Sequence, residues 1–138
     1  MVLKIAPNRI VSEVLEDFNS VFPYLKLEFF NRRAFEKQDF SPSSIIPHSR
    51  KLAECLAAII KEEDLVVNED MKVNELERQL KEKYGLNALV FRRSGNLWLQ
   101  TSMTDHWSLQ KQNQHGKELS LTTIRPLISN EGGEDAAY

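Results

Sequence analysis

The chain has one cysteine, Cys55, so no internal disulfide can staple it. Glycine and proline are scarce at five each, and the glycines are dispersed apart from Gly132-Gly133. That dispersal leaves no glycine-rich phosphate loop and no nucleophile elbow. No apolar run approaches the roughly 18 residues a membrane-spanning helix needs. The N-terminus also lacks a basic segment leading into an apolar signal core, so the expected location is cytoplasmic, with no membrane contact. Neither sign of charge dominates. With 18 basic and 20 acidic residues the net charge is −2, which gives no whole-molecule field for nucleic acid or anionic lipid. His48, His106 and His115 are scattered without zinc-ligand spacing, and Asp105-His106 would point to opposite sides of a strand. No metal site, cofactor or catalytic residue emerges from these patterns. Cys55, beside Leu56 on an apolar stripe, is expected to be a small packed side chain rather than a nucleophile.

What is present is enough apolar material for one core, 41% hydrophobic against 28% charged residues, arranged in a pattern that occurs twice. Residues 3–31 align without a gap against 65–93: Leu3 with Leu65, Ile5 with Val67, Val11 with Val73, Glu13 with Glu75, Val14 with Leu76, Leu27 with Leu89, Phe29 with Phe91. Each copy reads as strand, helix, strand. Short β-forming runs (Leu3-Lys4-Ile5 and Leu65-Val66-Val67) lead into turn residues. Apolar residues then recur at three and four positions, as Ile10, Val11, Val14, Leu15, Phe18, Val21 and Phe22, and more sparsely as Val73, Leu76, Leu80 and Tyr84, both stripes expected to face a core. Pro23 and Gly85 stop the two helices, proline for want of an amide proton and glycine because it tolerates a left-handed conformation. Glu13 and Glu75, in the first turns, are explained by the helix dipole without catalysis.

Strand alternation then assigns faces. In 24–30, Leu25, Leu27 and Phe29 point inward and Lys26, Glu28 and Phe30 outward; the gap-free alignment makes Leu89 and Phe91 inward and Val90 and Arg92 outward. Ser94-Gly95-Asn96 is expected as a three-residue hairpin loop, with Arg93 opposite Leu97 and Phe91 opposite Leu99. Residues 31–47, with Arg32-Arg33 and Ser41-Pro42-Ser43-Ser44, read as a surface loop, long for a compact domain. Ser49 to Lys61 reads as a helix capped by Ser49, with Leu52, Leu56, Ile59 and Ile60 as its stripe. A short polar helix is expected from Asp105 or Ser108 to Gly116.

The expected architecture is therefore α+β, one domain over residues 1–116 with a partly ordered or flexible tail at 117–138. Two βαβ units joined by an extra helix would build a mixed sheet of about five strands, with helices mainly on one face and a C-terminal hairpin. The outward face of that sheet, Lys26, Glu28, Phe30, Val90, Arg92, Trp98 and Gln100, mixes aromatics with long polar groups and is the candidate binding surface. Arg92 could stack on Trp98 there, or the chain's own C-terminal segment could cover the face. The functional reading is a non-enzymatic interaction or regulatory module with a protein partner. One alternative is a single-stranded nucleic-acid binder using Arg32, Arg33, Arg92 and Arg93; another is an enzyme using Asp105, His106 or Cys55.

Two strings stand out: Glu16-Asp17-Phe18-Asn19-Ser20-Val21-Phe22-Pro23-Tyr24-Leu25-Lys26-Leu27-Glu28-Phe29-Phe30, and Phe91-Arg92-Arg93-Ser94-Gly95-Asn96-Leu97-Trp98-Leu99-Gln100-Thr101 followed by Thr104-Asp105 and Trp107-Ser108-Leu109. Over most of residues 1–116 the chain resembles an uncharacterised family of small bacterial proteins. The resemblance implies one domain and carries no activity, cofactor or site residue.

Overall fold

The computed structural model describes residues 1–56 and 63–124. In chain order the elements are β1 (Val2–Ile5), α1 (Val11–Val21), β2 (Leu25–Phe30), α2 (Arg32–Lys37), β3 (Glu63–Val66), α3 (Val73–Tyr84), β4 (Asn87–Ser94), β5 (Leu97–Gln100) and α4 (Leu109–Ile124), with single 3-10 turns at Pro42–Ser44, Leu52–Glu54 and Ser102–Thr104. The stripe of α3 falls where periodicity put it, with Val73, Leu76, Leu80 and Tyr84 buried. In the first half Val11, Val14, Leu15, Phe18 and Phe22 are buried, but Ile10, the N-cap, and Val21, at the last turn, are exposed, because the stripe leaves the core at the two ends of α1. Glu13 accepts the Ile10 N–H at 2.7 Å, and Gly85 closes α3 at φ 71°.

The strands do not join into one mixed sheet. β1 pairs antiparallel with β3, Leu3 opposite Leu65, while β2, β4 and β5 form a separate antiparallel sheet in that order. Each strand–helix–strand passage therefore carries the chain from one sheet to the other, and the expected parallel βαβ pairs are absent among the described residues. Inward residues of both sheets and of α1 and α3 meet in one core, including Leu3, Ile5, Leu65, Phe18, Leu27 and Leu76.

β4 does not face as expected. No residue is inserted between helix start and strand start; α3 takes one more residue into the helix and leaves the link Gly85-Leu86 where α1 leaves Phe22-Pro23-Tyr24, and β4 departs from this different link with its other face inward. Leu25, Leu27 and Phe29 face the core as expected. In β4 it is Ala88 and Val90 that do so, opposite Phe29 and Leu27, while Leu89 and Phe91 turn outward opposite Glu28 and Lys26. The hairpin also differs from expectation. Its loop is the two residues Gly95-Asn96, with Ser94 opposite Leu97 and Arg93 opposite Trp98. Gly95, at φ 62°, supplies a positive φ at the first central position, the II′ geometry that matches strand twist and needs no third residue.

The helix expected from Ser49 does not start there. The first amides of α1 need acceptors, and the returning chain provides them: Val11 donates to Arg50 O at 2.8 Å and Ser12 to His48 O at 3.0 Å. Lys51 bridges Ile10, and Leu52–Glu54 makes a single 3-10 turn; residues 57–61 of the expected helix lie outside the described residues. Ser108 does cap α4, its hydroxyl accepting the Lys111 N–H at 3.1 Å. Gly116 does not end α4 but lets it close on the sheet, since a Cβ there would lie 3.0 Å from Tyr24 Cβ and from Arg92 Cγ. Of the expected tail, residues 125–138 lie outside the described residues.

Candidate functional site

The outward face of the three-stranded sheet is partly closed by the chain expected as a surface loop. Asn31 caps α2 by accepting the Ala34 N–H at 2.9 Å, and Ile46 N–H returns to Phe29 O at 2.8 Å. This excursion sets Phe35 and Phe40 against Phe30, with ring centroids 6.4 and 5.4 Å away, and Phe91 lies 6.3 Å from Phe30 on the other side. Phe30 is thereby 1% exposed. Among the described residues its cover is the 31–47 segment.

Beyond that cover the face stays open, and Glu28 lies there. Among the described residues it is the one buried charged side chain, 5% exposed, on a strand otherwise apolar apart from Lys26. A carboxylate taken out of water needs partners. His48 Nε2 donates to Glu28 Oε1 at 2.7 Å, and Lys26 Nζ lies 3.5 Å from Oε2. The geometry of His48 follows from the capping of α1, because the backbone carbonyl that accepts from Ser12 fixes where the imidazole hangs. The Lys26 ammonium also lies 5.1 Å from the Trp98 ring centroid and 5.7 Å from that of Phe91, a cation–π arrangement. A cavity of about 270 Å³ opens between this group and α1, lined by Leu15, Asn19, Lys26, Glu28, His48 and Trp98 among others.

Of the seven residues expected on this face, Lys26, Glu28, Trp98 and Gln100 surround the open corner or border it, and Phe30 lies under its aromatic cover. Val90 and Arg92 do not belong to it. Val90 is 1% exposed in the core. Arg92 lies beneath α4, where Nη1 donates to Gln112 Oε1 at 2.9 Å; Gln112 in turn donates to the Thr104 carbonyl and hydroxyl at 2.7 Å. Burial pushes the Arg92 guanidinium below its ordinary pKa. The expected Arg92–Trp98 stack is replaced by Lys26 over Trp98, because reversed facing carries Arg92 away. Sequence reasoning missed His48, Leu89 and Phe91. The available signal was Glu28 itself, a lone carboxylate in an apolar strand that required a partner from elsewhere.

The remaining reactive groups do not assemble. The Cys55 thiol donates to Lys51 O at 3.7 Å and its pKa is raised by burial and then by Glu54, the reverse of an activated nucleophile. Asp105 uses its carbonyl to accept Asn74 N–H at 2.9 Å, and His106 is exposed. His115 stands edge-on to Trp107 at 5.4 Å, its pKa lowered by burial and by the Arg92 charge. Among the described residues Glu77 is the most perturbed acid. Burial raises it to about 7, the Val90 N–H bond at 2.9 Å opposes this, and Asp105 adds to it. Its role is structural: with Thr101, whose hydroxyl donates to Val90 O at 2.8 Å, it satisfies β4 beyond the end of β5. Among the described residues no group of three or more His, Cys, Asp or Glu could hold a metal, and no helix is long and apolar enough to cross a membrane. No known protein family, curated protein or solved structure matches this chain.

Proposed function

We propose that the domain is a non-enzymatic binding module that recognises a short segment of a protein partner at the Lys26–Glu28–His48–Trp98 corner. The observation that carries this reading is the burial of Glu28 on an outward face, held by two groups that themselves reach the surface. A buried ion pair is a poor stabiliser, and an apolar residue at position 28 would avoid its desolvation cost. What the carboxylate does provide is position: Lys26 and His48 are held beside a half-buried indole, the mixture of fixed polar groups and aromatic surface that favours binding hot spots. Single-stranded nucleic acid fits less well, because Phe30 is covered, Arg92 is beneath α4 and Arg32 is paired with Glu36 at 3.3 Å. The test is capture from the native cell lysate with Lys26→Ala and His48→Ala variants whose circular dichroism matches wild type. A protein retained by wild type and reduced tenfold or more by both variants supports the reading; equal retention by all three rejects it.

A further inference from the structure

β5 is the outer strand of its sheet, and among the described residues no strand pairs with its far side. The direction of its backbone groups follows from β4. Val90 sits opposite Leu27 of β2, yet its N–H goes to Glu77 and its carbonyl accepts from Thr101, so both point toward the β5 side. Alternation then turns Arg92 and Ser94 toward Leu99 and Leu97, and directs the N–H and C=O groups of Trp98 and Gln100 to the open side. Such edges are usually blunted by lysine, proline or an inward charge; Leu97-Trp98-Leu99-Gln100 has none of these. On the face shared with α4, Leu97 is 65% and Leu99 36% exposed.

The segment Asn96-Leu97-Trp98-Leu99-Gln100 reads nearly the same in both directions about Trp98, with a carboxamide at each end and leucine on each side. We propose that this edge pairs antiparallel with the same edge of a second copy, about a two-fold axis at Trp98. A palindromic edge is self-complementary, which is what an isologous two-fold contact requires. In this register the two Trp98 residues exchange two backbone hydrogen bonds and Gln100 of each copy meets Asn96 of the other. On the α4 face Leu97 of each copy lies against Leu99 of the other, so all four leucines are covered. Centring the axis on Leu97 or Leu99 instead would set the remaining leucine against Gly95 or Thr101. Two three-stranded sheets become one of six strands.

Sedimentation over a range from about 1 to 300 µM tests the pairing. The expected result is a concentration-dependent doubling of mass, with the dissociation constant raised at least tenfold by Leu97→Lys. That side chain is exposed, so its replacement should leave the melting temperature nearly unchanged. In a Cys55→Ser background, Trp98→Cys should cross-link on oxidation, since residues facing across such an axis are about 5.5 Å apart at Cα. Leu97→Cys should not, its two copies lying roughly 8–9 Å apart, beyond disulfide reach. A monomer at every concentration overturns the proposal, as does a dimer indifferent to Leu97→Lys. A monomer of residues 1–138 that dimerises only after removal of residues 125–138 also overturns it, giving the edge to the chain's own C-terminal segment.

Discussion

Residues 1–56 and residues 63–124 each run strand, helix, strand and then return to cap their own helix, but the chain between strand and return differs. The shared frame is a set of backbone bonds. Val11 and Ser12 donate to Arg50 and His48, as Val73 and Asn74 donate to Trp107 and Asp105. Leu52 and Ala53 donate to Arg9 and Pro7, as Leu109 and Gln110 donate to Met71 and Glu69. In both halves the orphan amides of a helix N-terminus are thus satisfied from far along the chain, which ties each half's end to its beginning. Between strand and return, the first half folds α2 and two phenylalanines over the outward face, whereas the second adds β5 and continues as α4. One half closes the sheet and the other extends it. The candidate corner lies where the closing segment stops and the extension begins, with His48 contributed by the first return and Trp98 by the added strand.

The equivalence of the two returns can be broken at their anchors. Leu52 and Leu109 are each 0% exposed at matching places in the frame. Leu52→Ala and Leu109→Ala should each lose about 2–5 kcal/mol in urea unfolding. A loss below about 1 kcal/mol at one of them would show that the frame holds only one half. A smaller effect belongs to the second half alone. Glu77, with a folded-state pKa near 7 against the ordinary 4.5, holds a proton that the unfolded chain has released between those values. Stability should therefore fall as pH rises from about 4.5 through about 7, by on the order of 2 kcal/mol after allowance for partial exposure. Glu77→Gln should flatten that slope while keeping the Val90 bond; an unchanged slope would place the titration elsewhere.

Gly116→Ala separates the halves in a different way, since among the described residues only α4 presses a glycine onto the sheet. Helix propensity favours alanine by about 1 kcal/mol, but the added Cβ meets Tyr24 Cβ, which sits too near the backbone to move freely. The expected net outcome is a loss of about 1–2 kcal/mol by thermal melting. A gain in stability would mean that α4 can lift. The smallest expected effect is at the start of the closing segment. Asn31→Ala removes the α2 cap and should cost about 1 kcal/mol, with faster amide exchange confined to residues 31–47.

The sequence by itself determined the elements whose causes are local. The stripes of α1 and α3, the stop at Gly85, the inward set Leu25, Leu27 and Phe29 and the Ser108 cap all follow from residues within a turn or two of one another. The tertiary structure decided what depends on how a helix hands over to a strand or on distance. β4 presents the opposite face from β2 although the two are reached after the same number of residues, because α3 ends in the two-residue link Gly85-Leu86 and α1 in the three-residue link Phe22-Pro23-Tyr24; reversing the face moves every side chain of the strand at once. That is why Val90 and Arg92 left the candidate face while Leu89 and Phe91 joined it. The pairing of Glu28 with His48 spans 20 residues of chain, and is made only because the backbone at His48 is needed to cap α1. Neither strand composition nor helix periodicity encodes that contact. It arises from burial, which leaves a charge and an unfilled helix terminus that the same returning segment satisfies.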